Sequence, residues 1–145
     1  MDKPFLILIT SLVMLTGCSA KENDASSITF ILPDSFRGAI KVFEYSDGFD
    51  SKEKQPEYIL EVPPDGLLPV TDLGFLREWH VLKHSFRQSD LSTRDLDEKK
   101  EGVQFFTLWT ESNGDTLFFV GTEDEFKEAE RAGPWKIDNY FPRKQ

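Results

Sequence analysis

The amino-acid sequence predicts one mainly β domain, a single β-sandwich of about seven strands with one C-terminal helix, behind a short apolar leader. Three observations carry that reading. Short runs rich in β-branched and aromatic residues recur from Ile28 onward, each bounded by clusters of Pro, Gly, Asp or Ser. An Asn113-Gly114 pair lies between two aromatic-rich runs, as in a β-hairpin. An acidic stretch beginning at Thr122 has the spacing of a capped helix.

The elements follow in order. Ile28 to Leu32 and Ala39 to Tyr45 read as the first two strands, separated by the turn residues Pro33, Asp34 and Ser35 and by Gly38. Ser46 to Pro56 is polar and reads as a loop. Tyr58 to Val62 alternates apolar and polar residues, the period of a half-buried strand. Pro63-Pro64-Asp65-Gly66 turns the chain, and Leu67 to Val70 forms a fourth strand that Pro69 confines to a sheet edge, because proline cannot donate to the ladder. Trp79 to Phe86 is the fifth strand. Arg87 to Glu101 is a highly charged excursion, loop or partly helical.

Gly102 to Glu111 and Thr116 to Val120 complete the count as a hairpin. With Asn113 and Gly114 as a two-residue type I′ loop, Leu108 faces Phe119 and Trp109 faces Phe118. Phe106, Leu108, Leu117 and Phe119 then share one face, and Phe105, Trp109, Phe118 and Val120 the other. Both faces are apolar, so either both are covered, the favoured reading, or one aromatic face is an exposed binding surface. The next segment supplies the cover. Thr122 and Glu125 form a capping box, Glu123, Asp124 and Glu125 suit the positive helix end, and Arg131 suits the last turn. Gly133 and Pro134 stop the helix, whose Phe126 and Ala129 share a face.

The resulting sandwich resembles immunoglobulin-like or transthyretin-like modules. More locally, Leu32, Pro33, Phe36 and Gly38 in the stretch ITFILPDSFRGAIKV, with Val120-Gly121-Thr122 before the acidic helix, resemble an uncharacterised family of small secreted or lipid-anchored bacterial domains. That resemblance implies no reaction and no catalytic residues.

The leader is a different kind of signal. Phe5 to Leu15 is mostly apolar, is preceded by Lys3, and at about 1.5 Å per residue spans roughly 17 Å, short of a bilayer core of about 30 Å. It ends in Leu15, Thr16, Gly17 and Cys18, the only cysteine in 145 residues. This LTGC string resembles the lipobox of bacterial lipoproteins. The resemblance implies signal-peptidase recognition of Leu15, Thr16 and Gly17, cleavage after residue 17, and a diacylglycerol on the Cys18 sulfur. Residues 1–17 are then the signal peptide, 18–27 the lipidated cysteine with a short tether, and 28–145 the domain. The partner so implied is a membrane, held through covalent lipid in the bacterial cell envelope. Ser19 in place of an aspartate favours the outer membrane where the host has two.

With Cys18 committed to lipid, packing alone must hold the fold, and twelve of thirteen Phe with all three Trp and all three Tyr lie after Cys18 to supply it. The processed chain keeps 25 Asp plus Glu against 16 Lys plus Arg, a net charge of −9. That balance disfavours nucleic acid and anionic headgroups, and it would speed encounter with a basic protein. Catalytic signals are weak. His80 and His84, the only histidines, fall on a strand about 13 Å apart at about 3.3 Å per residue, too far to share one ion, so no metal is expected. Asp95, Asp97, Glu98 and Glu101 are interrupted by Lys99 and Lys100, and Asp47-Gly48-Phe49-Asp50 lacks the ligand ladder of a calcium loop. No nucleophile elbow, phosphate loop or second cysteine is present, so neither catalytic residues nor a cofactor are assigned. The leading expectation is a noncatalytic envelope binding module. An immunity or inhibitor protein against a basic toxin or hydrolase is the first alternative. An envelope hydrolase, which would need a pocket joining a histidine to carboxylates, is the second.

Overall fold

The computed structural model describes residues 26–96 and 102–142. Eight strands form two four-stranded sheets, β3-β1-β5-β6 and β4-β2-β8-β7. The first sheet contains β1 (Ser26–Leu32), β3 (Glu57–Glu61), β5 (His80–Arg87) and β6 (Thr93–Asp95). The second contains β2 (Gly38–Phe49), β4 (Leu67–Val70), β7 (Gln104–Thr110) and β8 (Thr116–Gly121). A short helix α1 (Gly74–Arg77) precedes β5, and helix α2 (Glu123–Ala132) with a 3₁₀ helix (Pro134–Tyr140) follows β8.

The chain changes sheet after each of its first four strands. Consequently β1 pairs in parallel with β3 and β5, and β2 pairs in parallel with β4; the remaining three pairings are antiparallel. Because β1, β3 and β5 are parallel, all three begin at one end of the molecule. Pro69 lies on β4, at a sheet edge, as its missing N–H requires.

Strand alternation builds the core directly. Ile28, Phe30 and Leu32 of β1, Tyr58 and Leu60 of β3, and Phe86 of β5 face Ile40, Val42, Val70, Phe118 and Val120 of the other sheet. Phe30, Phe105 and Phe118 meet at ring separations of 5.1–5.3 Å and join the two layers. Such aromatic pairs contribute about 0.5–1.5 kcal/mol each beyond their burial.

Several boundaries differ from the sequence reading, each for a local reason. β1 starts at Ser26, two residues inside the expected tether, because Ser26 pairs with His80 and the Ser27 N–H donates to the Pro56 carbonyl over 2.9 Å. β2 continues through Ser46 to Phe49; Glu44 to Asp47 are exposed, so no alternation marks them as strand. After a bulge the strand rejoins β4 at Phe49 and Val70, where a Cβ on Gly48 would sit 2.5 Å from the Val70 nitrogen. β6 is the eighth strand, three residues within the charged excursion.

The hairpin turn is corrected. Asn113 does not adopt positive φ, whereas Gly114 does, at 95°. The Gly114 N–H donates to the Glu111 carbonyl and the Glu111 N–H to the Asp115 carbonyl, so the loop has three residues, a type I turn closed by a glycine bulge. A second bulge at Leu108 shifts the register between Thr107 and Trp109. Phe106 therefore faces Phe119, but Trp109 faces Leu117 and joins the opposite face from the one expected. One inserted residue reverses every side chain beyond it.

Both hairpin faces are covered. Phe105, Phe118 and Val120 enter the inter-sheet core. Phe106, Leu108, Trp109, Leu117 and Phe119 are roofed by α2 and the 3₁₀ helix: Phe126 stacks on Phe106 at 4.2 Å, Ala129 is fully buried, and Tyr140 meets Phe119 edge-on. The capping box forms as its spacing predicts, Thr122 Oγ1 accepting from Glu125 N–H at 3.2 Å and Glu125 Oε2 from Thr122 N–H at 2.7 Å.

Candidate functional site

Leu15, Thr16, Gly17 and Cys18 lie outside the described residues. What the fold supplies is the place where the chain leaves that segment and enters the domain. Ser26 opens β1 beside His80, the first residue of β5, and Glu57 of β3 starts at the same level.

This end is stitched together by side chains. Ser51, buried at 3 % exposure, accepts from the Asp72 N–H at 2.9 Å and donates to the Asp72 carbonyl at 2.6 Å, while its own N–H donates to Thr71 Oγ1. Asp72 Oδ1 in turn accepts from the Gly74 N–H at 2.6 Å and starts α1. Phe75 of α1 stacks on Tyr58 at 4.7 Å, which fixes the helix to the core. The helix ends at Glu78 in an extended conformation, and the next residue, Trp79, projects outward with 83 % of its surface exposed. Its neighbours are held. The Glu78 carboxylate pairs with Lys54 Nζ at 2.8 Å, and that hydrogen bond and charge raise the lysine pKa above its ordinary value. The His80 Nδ1–H donates to the Glu78 carbonyl.

The outer face of the first sheet runs away from this end without a covering layer among the described residues. Thr29 sits between Ile59 and Lys83, and Ile31 between Glu61 and Ser85. Ile59 and Val81 are half exposed, bracketed by the pairs Lys83–Glu57 and Arg87–Glu61. Polar and apolar side chains thus interleave on a solvated face.

At the opposite end lie two small grooves. One, of about 190 Å³, is lined by Arg37, Phe119, Glu125, Glu128 and Tyr140; the other, of about 130 Å³, by Ser35, Phe36, Arg37, Phe86 and Val103. Both fall below the roughly 300–1,000 Å³ of small-molecule sites. Arg37 and Glu125 bridge the first at 3.4 Å, both half exposed.

The histidines occupy the extended strand expected for them. His84 stacks on Phe105 at 5.1 Å on the inner side of the sheet, and neither histidine lines these grooves. Asp50 Oδ1 accepts from Lys52 N–H and Thr71 Oγ1–H, a loop-closing role; Asp97, Glu98 and Glu101 lie outside the described residues. Among the described residues no three His, Cys, Asp or Glu side chains gather as metal ligands would.

One charged cluster went unread in the sequence. Lys41 Nζ on β2 lies 3.0 Å from both Glu111 and Asp115, which flank the hairpin loop. Burial pushes the Lys41 pKa down, but hydrogen bonds and charge from Asp115 and Glu111 outweigh it and the net shift is upward. The residues stand 70 and more positions apart, so no local pattern pairs them.

No protein-family model matches the chain, and no curated protein does. The family resemblance of the ILPDSFRG stretch therefore rests on those motifs alone. Among solved structures, a Bacillus anthracis protein provisionally described as a lipoprotein matches at 13 % identity and a TM-score of 0.42, over 83 % of this chain and 99 % of the other.

Proposed function

We propose that the chain is a lipid-anchored protein of the bacterial cell envelope whose domain is a noncatalytic binding module. The observation that carries this is Leu15-Thr16-Gly17-Cys18, whose Leu15 ends an eleven-residue, mostly apolar run from Phe5, with Cys18 the only cysteine. Cleavage after Gly17 leaves the Cys18 thiol joined to diacylglycerol. Each buried methylene contributes about 0.8 kcal/mol, so two long chains hold where one myristoyl chain would exchange. The core of the domain closes by apolar packing, and no helix among the described residues is long and apolar enough to cross a membrane. Ser19 favours delivery to an outer membrane where one exists.

Metabolic labelling with a radioactive or alkyne fatty acid tests it. Wild type is expected to incorporate label and Cys18→Ser none, accumulating as the longer precursor. Equal labelling of the two removes the anchor from Cys18.

The net charge of −9 favours a second reading in which the partner is a basic protein. Glu123, Asp124, Glu128 and Glu130 are exposed on α2, at the far side of the sandwich from β3-β1-β5. An immunity or inhibitor role predicts salt-sensitive capture of a basic envelope-targeting toxin or hydrolase and protection of cells against it; growth unprotected against every neighbouring toxin sinks it.

A further inference from the structure

We propose that Trp79 is a membrane-contact residue, its indole seated in the headgroup layer of the bilayer that holds the Cys18 lipid. The inference rests on the anchor reading above and adds an orientation to it: the common start of β1, β3 and β5 faces the membrane, and the grooves near Arg37 face away.

Trp79 is 83 % exposed, the highest value among the large apolar side chains whose burial is described, and its ring is therefore no part of the core. Its position is set by the fold. His80 pairs with Ser26, and Trp79 lies one residue, about 3.3 Å, beyond that level, on the side from which the chain arrives. Seven residues separate Cys18 from Ser26. Eight steps of polypeptide span at most about 27 Å. The indole is thus confined within a few nanometres of the lipid. A short tether raises effective concentration to the millimolar range, so a contact too weak to recruit a free protein is populated once the lipid is in place. The chemistry of the spot suits an interface. Tryptophan has an apolar body and one N–H, the combination enriched where membrane meets water. Glu78, the carboxylate nearest in sequence, is already neutralised by Lys54, so the indole does not drag an unpaired charge into the headgroups. The Glu78 carbonyl bond from His80 and the stacking of Phe75 on Tyr58 hold the segment outward instead of letting it fold back.

The test uses the lipidated protein, reconstituted in phosphatidylcholine vesicles with bromine on the upper acyl chains, which quenches tryptophans at the interface. Trp79→Phe isolates the Trp79 signal from Trp109 and Trp135. Mass spectrometry of the same sample reports the lipid on Cys18. With lipid present, wild type is expected to be quenched at least about twofold more than Trp79→Phe, with Trp79 emission shifted to the blue. Equal quenching of the two, with lipid on Cys18, overturns the Trp79 contact and leaves the anchor standing. A Trp79 signal that ignores vesicles but follows protein concentration places a second copy there and also overturns it. Absence of lipid on Cys18 overturns both. An unchanged melting temperature of Trp79→Phe shows that the fold is intact.

Discussion

Replacing Gly114 tests the revised hairpin turn. Gly114 holds φ at 95°, and a Cβ built there would meet Arg77 Nη2 at 2.6 Å and Leu73 Cδ1 at 3.5 Å. The first clash involves the free end of a long side chain and can relax, whereas φ is set by the hydrogen bonds that close the loop. Holding an L-residue at positive φ costs about 1–2 kcal/mol, and alanine recovers about 0.4–1 kcal/mol of that by restricting the unfolded chain. Gly114→Ala should therefore lose about 1 kcal/mol and Gly114→Val, β-branched as well, about 2–3 kcal/mol. For a domain of this size 1 kcal/mol moves Tm by roughly 4 °C, so valine should lower it by about 8–12 °C in a thermal melt followed by circular dichroism. Asn113 is the control. Its φ is not positive, so Asn113→Thr should cost no more than about 1 kcal/mol, the loss of its bond to the Asp115 N–H. Two results would refute the reasoning: a Gly114→Val melt within about 1 °C of wild type, or full rescue of that variant by Arg77→Ala, which would make the cost steric.

Two other perturbations follow from the same structure. Thr122→Ala removes the acceptor of the Glu125 N–H and should cost about 1 kcal/mol, read as a lower Tm; no change would mean the capping box contributes nothing to holding the roof over Phe106. Lys41→Met leaves Glu111 and Asp115 facing each other and should cost about 1–2 kcal/mol at neutral pH. Because the folded-state Lys41 pKa is raised above 10.5, its contribution is complete below that value and is lost as pH rises through the higher folded one. Wild type and Lys41→Met should therefore keep their gap in denaturant midpoint up to about pH 10.5 and converge only as pH rises beyond it; a constant gap would refute the ion cluster as the cause.

How far the chain could be read without its structure depended on whether the signal was local. The capping box at Thr122 and Glu125 involves residues three apart, and it formed as read. The edge position of Pro69 follows from one missing N–H. The turn was legible as a turn but not in type, because Asn-Gly fits both a two-residue loop and the glycine position of a three-residue one. The Leu108 bulge carried no signal at all, and it sent Trp109 to the roofed face. Trp79 read as the first residue of a strand, since an aromatic beside His80 and Val81 looks the same whether it is paired or projects beyond the sheet.

Composition, spacing and chemistry along the chain determined the apolar N-terminal run with its single cysteine, the acidic balance, the β-rich class and the capped helix. All of these are properties of neighbouring residues or of sums over the whole chain. Tertiary structure alone decided that three strands run parallel and start together, that Lys41 meets two carboxylates from the hairpin, and that Trp79 stands exposed where the chain arrives. Those facts depend on which distant segments pair. Pairing is chosen by burial summed over two sheets and a roof, a quantity that no short stretch of sequence contains.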